Sequence, residues 1–227
     1  MKIAVIPARG GSKRIPKKNI KEFMGKPIIA YSIEAAIKSQ LFDEIVVSTD
    51  DEEIAAVAQE YGATIPFMRP DDLSDDYTGV TPVIRHAANW FTDNGQKPDY
   101  ICCLFSTAPF IQVKYIQEGL EKLKNIKQGG MVYSFTTFAF PIQRANKMDE
   151  NGHMVAFYPE HMASRSQDLE EAYHDAGQFY WWTEESLNHG VTERLPIILP
   201  RYLVQDIDTQ EDWKRAELLY QVMLMTK

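Results

Sequence analysis

The segment at positions 8–19, which reads ARGGSKRIPKKN, combines two adjacent glycines with closely spaced cationic side chains. Seven of the chain's 24 Lys and Arg residues lie between Arg9 and Lys26, although the net charge of the whole chain is -8. Adjacent glycines allow φ > 0 and a close approach of the backbone to a ligand, so that backbone N–H groups can form an anion-binding concavity. The segment therefore predicts a cradle for the triphosphate of a nucleotide.

An exposed turn is the more common role of a Gly-Gly pair followed by basic residues. Phosphate binding is favoured here because the segment directly follows a short apolar strand, Ile3–Ile6, and open α/β sheets bind ligands at such strand ends. Pro16 also stiffens the end of the loop. The sequence contains no Walker A loop, since Pro27 follows Gly25 and Lys26, and no Gly-x-Gly-x-x-Gly, so a dinucleotide-binding fold has no support.

Two acidic residues near the end of the chain, Asp206 and Asp208, form a second chemical pair. In an extended segment their carboxylates point to one side, while Ile207 points back to the core. Neighbouring carboxylates repel, and one pKa rises unless a cation neutralises them. Mg²⁺ or Mn²⁺ fits such a pair, because it binds one or two carboxylates together with substrate phosphate oxygens. The alternative is that Asp208 only precedes a helix and Asp206 is solvated.

The composition, with 44% hydrophobic and 25% charged residues, predicts a single domain spanning residues 1–227. The acidic balance argues against nucleic-acid binding, and no apolar run approaches the ~20 residues of a membrane span. The N-terminus does not have the pattern of a signal peptide. The only cysteines, Cys102 and Cys103, are adjacent and cannot pair with each other without severe distortion. They predict a reducing compartment, most simply the cytoplasm.

Apolar runs alternate with helical periodicity along the chain, which predicts an α/β fold with a mainly parallel sheet and right-handed crossovers. The predicted strands after the first are Glu44–Ser48, Thr64–Ile65, Tyr100–Phe105, Met131–Thr136, Gly177–Trp182 and Ile197–Val204. The predicted helices are Pro27–Gln40, Asp51–Tyr61, Val80–Asn94, Val113–Lys124 and Thr209–Met225. In the last helix, Thr209 and Asp212 have the spacing of a capping box, and the predicted buried face is Leu218, Leu219, Val222 and Met223.

The segment 138–171 departs from this pattern. Helical periodicity gives way to aromatic residues, prolines and short alternating runs, which indicate a β-hairpin or an extended arm inserted in the domain. Such an excursion needs a surface to pack against. We therefore expect it to be a dimerisation lobe in a homodimer.

The ARGGSKRIPKKN segment resembles the N-terminal signature of the cytidylyltransferases that activate nonulosonic acids, namely the CMP-sialic acid synthetases and their relatives. The resemblance covers nearly the whole chain in the same order. It implies a three-layer, Rossmann-like nucleotidyltransferase fold that transfers CMP from CTP to a sugar acid. It also implies a metal ion on the Asp-x-Asp pair, in agreement with the argument from charge.

The resemblance implies a role for residues along the whole chain. Those expected in catalysis are Arg9, Lys13, Lys18, Asp206 and Asp208, of which the two aspartates are the metal ligands. Those expected to bind nucleotide are Ala8, Arg9, Gly10, Gly11, Ser12, Asn19, Arg69, Thr78 and Thr81. Thr78 and Thr81 are expected to contact the base, because they lie in the segment that corresponds to the base-recognition loop of the family.

The sugar is expected to contact Thr107, Arg165, Gln167, His174 and Asp175. An Arg side chain suits a carboxylate, and an amide suits hydroxyl or N-acyl groups. The sequence YHDAGQFYW at 173–181 resembles the pseudaminic acid cytidylyltransferases, whereas sialic acid enzymes end this segment in Asn-Gly-Ala. In addition, Phe105 and Ser106 replace the Gln-Pro that is usual in the sialic acid enzymes, so the sequence departs from those enzymes at the expected sugar-side contact.

Three other functions stay open at this point. The chain could activate a different nonulosonic acid, such as N-acetylneuraminic or legionaminic acid. It could be a nucleotide-binding regulator without catalysis, although a regulator needs neither the acidic pair nor the cations of the loop. A nucleotidyltransferase acting on an amino-sugar 1-phosphate shares the architecture and would accept a sugar phosphate instead of a free sugar acid.

Overall fold

The fold is a central sheet of six strands between two layers of helices, seen in a computed structural model that describes residues 1–225. The strands are β1 (Lys2–Pro7), β2 (Glu22–Phe23), β3 (Lys26–Pro27), β4 (Glu44–Ser48), β5 (Tyr100–Leu104), β6 (Gly130–Thr137), β7 (Asn146–Met148), β8 (Met154–Ala156), β9 (Tyr173–Thr183) and β10 (Glu193–Ile198). The sheet order is β10-β6-β9-β5-β1-β4, while β2 pairs with β3 and β7 with β8.

The helices are α1 (Ile28–Ser39), α2 (Glu52–Glu60), α3 (Val80–Asp93), α4 (Val113–Lys124), α5 (Glu184–His189) and α6 (Gln210–Met225). Short 3₁₀ helices lie at Lys18–Ile20, Asp71–Leu73, Ile142–Arg144, Pro159–His161, Ser166–Asp168 and Arg201–Leu203. Within residues 1–225, no helix combines the length and the apolar character that a membrane span needs. The α/β class and the mainly parallel sheet predicted from the sequence are confirmed.

The two faces of the sheet bury separate apolar clusters. Residues of α1, α2 and α4 pack on one face with Cys102, and residues of α3 and α5 pack on the other with Cys103. The two adjacent cysteines are fully buried on opposite faces, as the alternation of a strand requires, and both are free thiols. A third cluster joins α6 to the start of α1 around Phe23 and Trp213.

Strand β9 is the exception in direction. It pairs antiparallel with both β5 and β6, whereas the other pairs of the six-stranded sheet are parallel. Its first residues therefore lie at the edge where the parallel strands end. A large bulge also interrupts β9, because Tyr133 pairs with Tyr180 but Phe135 pairs with Asp175, which leaves four residues of β9 opposite Ser134. Ser134 Oγ accepts hydrogen bonds from the two backbone N–H groups of Gln178 and Phe179.

The segment 138–171 contains one short hairpin, β7–β8, and otherwise 3₁₀ turns. The backbone N–H of Phe138 donates to Ala172 O, which closes the base of this arm. Its surface is unusually apolar, with eight large hydrophobic side chains at least 38% exposed: Phe138, Phe140, Ile142, Met148, Met154, Phe157, Tyr158 and Met162.

Several sequence predictions need correction. Thr64 forms only an isolated bridge to Val46, so the strand predicted at 64–65 is absent among the described residues. The last strand begins at Glu193 and ends at Ile198, earlier than predicted, because a 3₁₀ turn occupies Arg201–Leu203. The capping box of Thr209 and Asp212 is confirmed by reciprocal hydrogen bonds.

The predicted buried face of α6 is wrong in part. Leu218 and Val222 are more than half exposed, while Trp213, Ala216 and Met223 are buried. Only a narrow stripe of the helix is buried. Apolar residues also lie outside that stripe, and for this reason the periodicity of the sequence predicted part of the buried face wrongly.

Candidate active site

Two cavities meet at the edge of the sheet where β1 and β5 end. The first, here called the loop cavity, has a volume of about 510 Å³ and is lined mainly by the segment 9–19 and by residues 76–83. The second, here called the β9 cavity, has a volume of about 550 Å³ and is lined by the start of β9 and by residues 201–215. Phe105 and Thr107 line both cavities, so the two are neighbours on either side of the end of β5.

Four of the seven predicted cations line the loop cavity, namely Arg9, Lys13, Arg14 and Lys18. The other three are used elsewhere. Lys17 pairs with Glu53, Lys21 lies 4.4 Å from the centre of the Trp213 ring, and Lys26 forms an ion pair of 2.5 Å with Glu34. The count of positive charges in the sequence therefore overstates the charge that faces a ligand.

An acidic side chain faces the same cations. Asp76 lies in the loop before α3, and its carboxylate accepts from Arg9 Nη1 at 2.6 Å and from Lys13 Nζ. These two hydrogen bonds lower the pKa of Asp76 from its ordinary value. Asp76 thus occupies donors of two of the cations that the sequence predicts to bind phosphate.

The glycine pair acts in a different way from the one predicted. Neither Gly10 nor Gly11 takes a positive φ, and it is Lys17 that adopts the left-handed conformation, with φ of 51°. Gly10 is required by space, because a Cβ there would lie 2.7 Å from Asp51 Oδ2. The N–H groups of Gly10 and Ser12 donate to Asp50 and to Gly10 O, so these two do not contribute to an anion-binding concavity.

Asn19 and Arg69 are buried in the wall of the loop cavity. Asn19 Nδ2 donates to Arg9 O at 2.9 Å, and its Oδ1 accepts from Ser106 Oγ at 2.8 Å, so the amide ties the loop to the end of β5. Arg69 donates to the side chain and the backbone oxygen of Ser48. Burial lowers the pKa of Arg69 to about 10, which means that an anion in the cavity would be a favourable partner.

The two threonines predicted to contact the base lie in different places. Thr78 lines the loop cavity, and its backbone N–H donates to Asp75 Oδ1 at 2.6 Å. Thr81 lies one helical turn further along the chain and lines another cavity, between α3, α5 and β9. The structure therefore brings Thr78, but not Thr81, to the predicted nucleotide site.

The acidic pair lies between the two cavities, on the segment before α6. Ile207 is buried in the third apolar cluster, as predicted for an extended segment, while Asp206 lines the β9 cavity. Lys18 Nζ donates to Ile207 O at 2.7 Å and lies 3.3 Å from Asp208 Oδ1. Arg14 Nη2 is 2.8 Å from the same Asp208 oxygen. The first loop and the last segment of the fold are thus joined at Asp208.

The β9 cavity holds the predicted sugar residues Thr107, His174 and Asp175. Asp175 Oδ1 accepts from the Gly177 N–H at 2.7 Å, and its other oxygen accepts from Tyr180 Oη. His174 Nδ1 lies 2.8 Å from Asp175 O, and since a carbonyl oxygen only accepts, Nδ1 carries the hydrogen. The bulge of β9 directly follows His174 and Asp175, consistent with the frequent occurrence of bulges beside functional sites.

Arg165 and Gln167 lie on the arm and line neither of the two cavities. Arg165 is 73% exposed and forms a two-point ion pair with Asp168, at 2.7 and 3.1 Å. Gln167 is exposed in the same 3₁₀ turn. Within one chain, the structure does not bring these two predicted sugar contacts to the site.

Comparison with known proteins gives the family. A family profile described as cytidylyltransferase matches residues 3–224. The chain belongs to the cytidylyltransferase family. It is 47% identical over 225 residues to a pseudaminic acid cytidylyltransferase of Campylobacter jejuni, covering 97% of this chain and 96% of that protein. It is 33% identical to a CMP-N,N'-diacetyllegionaminic acid synthase of Legionella pneumophila, with the same coverage of both chains.

A solved structure shares the fold of this cytidylyltransferase. It is a CMP:2-keto-3-deoxy-manno-octonic acid synthetase complexed with CTP, which superposes with a TM-score of 0.70 over 98% of this chain and 99% of that chain. The identity is 16%, so the comparison speaks to the fold alone.

The acidic pair of this cytidylyltransferase fits a hard divalent cation in its donor chemistry. Burial and, to a smaller extent, the neighbouring Asp208 raise the pKa of Asp206, so its carboxylate is held in an environment that disfavours its charge. Within residues 1–225 no group of three or more His, Cys, Asp or Glu side chains could hold a metal by itself. Two carboxylates suit Mg²⁺, which usually completes its shell with water and substrate oxygens.

Sequence reasoning missed several residues that line this site. Arg14 was counted only as part of the charge of the loop, and Asp76 lies in a polar turn without a distinctive pattern. Arg201, Gln205 and Arg215 line the β9 cavity and flank the acidic pair in sequence, which is the signal that could have identified them. Gln178 Nε2 donates to Leu203 O and supports the turn from which Arg201 projects.

Proposed function

We propose that this cytidylyltransferase transfers CMP from CTP to the anomeric hydroxyl of pseudaminic acid and releases pyrophosphate. The 47% identity to a pseudaminic acid cytidylyltransferase over almost the full length of both proteins supports the choice of sugar. The 33% identity to the legionaminic acid enzyme is lower over the same span. The proposal is also in agreement with the segment Tyr173–Trp181, which carries the sequence resemblance to pseudaminic acid enzymes.

One observation carries the proposal: two cavities of similar size share the end of β5. Lys18, in the wall of the loop cavity, contacts Asp208, which is two residues from Asp206 in the wall of the β9 cavity. A transfer between two substrates needs this arrangement, because the reacting atoms must be held close together and correctly oriented. The loop cavity, with its cations, suits the nucleotide. The β9 cavity, with hydroxyl, imidazole and carboxylate groups, suits the sugar.

The reaction forms a bond between the anomeric oxygen and the α-phosphorus and breaks the bond from that phosphorus to the β-phosphate oxygen. The pyrophosphate leaves with the electron pair of the broken bond, and the hydroxyl proton passes to solvent. Arg9, Lys13 and Lys18 stabilise the charge that develops on the leaving pyrophosphate. Arg14 belongs with them, because it lines the same cavity. Asn19 fixes the shape of the loop, and Arg69 supplies buried positive charge beside the nucleotide.

Asp206 and Asp208 would hold Mg²⁺ or Mn²⁺. When bound, such an ion supplies positive charge to phosphate oxygens and lowers the pKa of a hydroxyl group that it contacts. The residues of the chain prepare this position: Ile207 anchors the backbone in the core, and Lys18 and Arg14 orient Asp208 from the nucleotide side. Thr107, His174 and Asp175 orient the sugar in the β9 cavity.

A homodimer and a cytoplasmic location are part of the same proposal. The arm at 138–171 exposes eight large apolar side chains, a surface typical of a protein–protein interface. A partner subunit covering it would explain why Arg165 and Gln167 lie away from the site of their own chain. Two free cysteines, and no disulfide among the described residues, suit a reducing compartment.

The test is pyrophosphate release with CTP and Mg²⁺, offering pseudaminic, N-acetylneuraminic and legionaminic acids in parallel. Release with pseudaminic acid at the highest kcat/KM is the expected result. Preferential release with another acid would keep the chemistry and overturn the sugar assignment. No release with any of the three, together with measurable CTP binding, would overturn the transfer activity, and an amino-sugar 1-phosphate would then be the substrate to offer.

A further inference from the structure

Two arginines of the β9 cavity have no assigned role. Arg201 lies in the 3₁₀ turn after β10, and Arg215 lies in the second turn of α6. Both line the same cavity as Asp206. We propose that Arg201 and Arg215 bind the carboxylate of the sugar acid and so decide that the substrate is an acid. This inference rests on the proposed function.

The chemistry of the substrate fixes where its carboxylate must lie. In a nonulosonic acid the carboxylate and the anomeric hydroxyl are attached to the same carbon atom. The carboxylate must therefore sit within a few ångströms of the reacting oxygen, next to the acidic pair. Cations on the segment 201–215, which also carries Asp206, meet this requirement. Arg165 on the arm of the same chain does not line the cavity.

Both guanidinium groups have N–H donors that are not used in hydrogen bonds within residues 1–225. Arg201 uses Nη1 for one hydrogen bond of 3.3 Å to Phe138 O. Within residues 1–225 the side chain of Arg215 makes no hydrogen bond or ion pair, and it interacts only electrostatically, with Asp212. A guanidinium has five N–H donors in a planar fork that matches a carboxylate.

The acidic groups in the same cavity are already occupied or assigned. Asp175 accepts hydrogen bonds from Tyr180 and from the Gly177 N–H, and Asp206 belongs to the proposed metal pair. Neither forms an ion pair with Arg201 or Arg215 within residues 1–225. Neither carboxylate of this cavity is paired with an arginine of the same cavity, so most guanidinium donors stay available to an anionic ligand.

The backbone that carries the two arginines is well anchored. Gln178, which is buried, donates from Nε2 to Leu203 O and fixes the turn of Arg201. Trp213 and Ala216, on either side of Arg215, are buried in the third apolar cluster. Rigid placement of binding groups limits the conformational entropy lost when a ligand binds.

The experiment compares Arg201→Gln, Arg215→Gln and Arg194→Gln in steady-state pyrophosphate release. Each is assayed with pseudaminic acid and with its C1 carboxamide, which has the same shape without the negative charge. Arg194, on β10, lines two other cavities and not the β9 cavity, and it serves as the matched control. A hydrogen-bonded charge pair contributes enough that losing one arginine lowers kcat/KM for the acid by about 10- to 100-fold.

The decisive measure is the acid-to-amide ratio of kcat/KM. We expect this ratio to fall by about 10-fold or more in Arg201→Gln and Arg215→Gln, with the KM for CTP within about 2-fold of the parent. Arg194→Gln should keep the ratio of the parent. A purely structural role would lower kcat/KM for both sugars equally and leave the ratio unchanged.

Lysine variants control for misfolding of the glutamine variants. Arg201→Lys and Arg215→Lys retain the charge but not the planar fork, so they should show a smaller fall in the ratio than the glutamine variants. An unchanged ratio in folded variants at both positions would overturn the inference, as would a collapse of the ratio in Arg165→Gln alone. If the parent enzyme releases no pyrophosphate with any sugar acid, the proposed function itself fails.

Discussion

The loop cavity and the β9 cavity lie side by side but are built in different ways. The loop cavity takes most of its charged side chains from one continuous segment, residues 9–19. The β9 cavity takes its lining from the end of β5, the end of β6, the start of β9 and the segment 201–215. Continuous sequence can be recognised as a motif, whereas a wall assembled from four segments becomes visible only in the fold.

The two cavities also differ in the charged groups that line them. The loop cavity is strongly cationic, and its one carboxylate, Asp76, is held by two of the cations. The β9 cavity mixes two arginines with two aspartates. A triphosphate is recognised by charge density, while a sugar acid is recognised by the placement of individual donors and acceptors. Substitutions should therefore act differently on the two sides.

The largest effect is expected at the border of the two cavities, at Asp206. Asp206→Asn should lower kcat by about 100-fold or more, because it removes one of two carboxylates proposed to hold the metal. At the same time it should not destabilise the fold. Activity is measured by pyrophosphate release, and stability by thermal unfolding with EDTA.

The difference in stability between Asp206→Asn and the parent protein should depend on pH in a defined direction. The pKa of Asp206 is raised in the folded state, so the folded protein binds this proton more tightly than the unfolded chain. The destabilisation by Asp206 is therefore absent at pH values below the ordinary Asp pKa and fully present above the raised pKa. Asp206→Asn should be the more stable protein at neutral pH, with the difference disappearing in acid. A less stable variant at neutral pH would contradict the assignment.

The second prediction compares two adjacent lysines. Lys18→Met should lower kcat by about 100-fold, because Lys18 lines the loop cavity and contacts the acidic segment. Lys17→Met should leave kcat within about 2-fold, because Lys17 pairs with Glu53 outside both cavities. Steady-state kinetics and thermal unfolding of both variants separate catalysis from folding. Equal losses of activity in the two variants would contradict a specific role of Lys18.

A third prediction tests the glycine pair. Gly10→Ala should destabilise the protein by about 1–3 kcal/mol and raise the KM for CTP, because the added Cβ meets Asp51 Oδ2 at 2.7 Å. Gly11→Ala is the matched control, since its nearest neighbour would be Arg9 Nη1 at 3.7 Å. Urea unfolding and CTP kinetics measure both effects. Similar behaviour of the two variants would mean that backbone conformation, and not space, decides the need for glycine.

The smallest effect is expected at Asp76. Asp76→Asn should lower the KM for CTP by a few-fold, because the carboxylate competes with phosphate for Arg9 and Lys13 at the surface of the cavity. The exposed Asp72 of the same loop provides the control variant, Asp72→Asn. The effect should weaken at high salt, which is checked by titrating NaCl. A higher KM in Asp76→Asn would show that Asp76 orders the loop for the nucleotide.

Much of the fold could be predicted from the sequence because each element carries its own local signal. The helix Val113–Lys124 has the predicted bounds, and the cap of α2 at Asp51 was visible as a run of acidic residues. Elements without such a signal were missed. The helix α5 is only six residues long, and the antiparallel direction of β9 depends on the whole connectivity of the sheet.

The candidate site could be predicted where side chains act alone and not where they depend on neighbours. Arg9, Lys13 and Lys18 line the loop cavity as expected. Lys17, with the same chemistry and an adjacent position, is bound by Glu53, a partner 36 residues away that no local pattern reveals. Arg201 and Arg215 were missed because a single arginine carries no pattern of its own, and only their position on either side of the acidic pair could have indicated them.

The contact between Lys18 and Asp208 has a consequence for folding during synthesis of the protein. The two residues are 190 positions apart, so this contact forms only after the segment before α6 has been synthesised. At about 5–20 residues per second of synthesis, roughly 10–40 seconds separate the appearance of the loop from that of its partner. During this interval a nascent chain can bury β1 and its neighbours without assembling a reactive centre. The order of translation therefore prevents the proposed site from assembling before the segment that carries Asp208 has been synthesised.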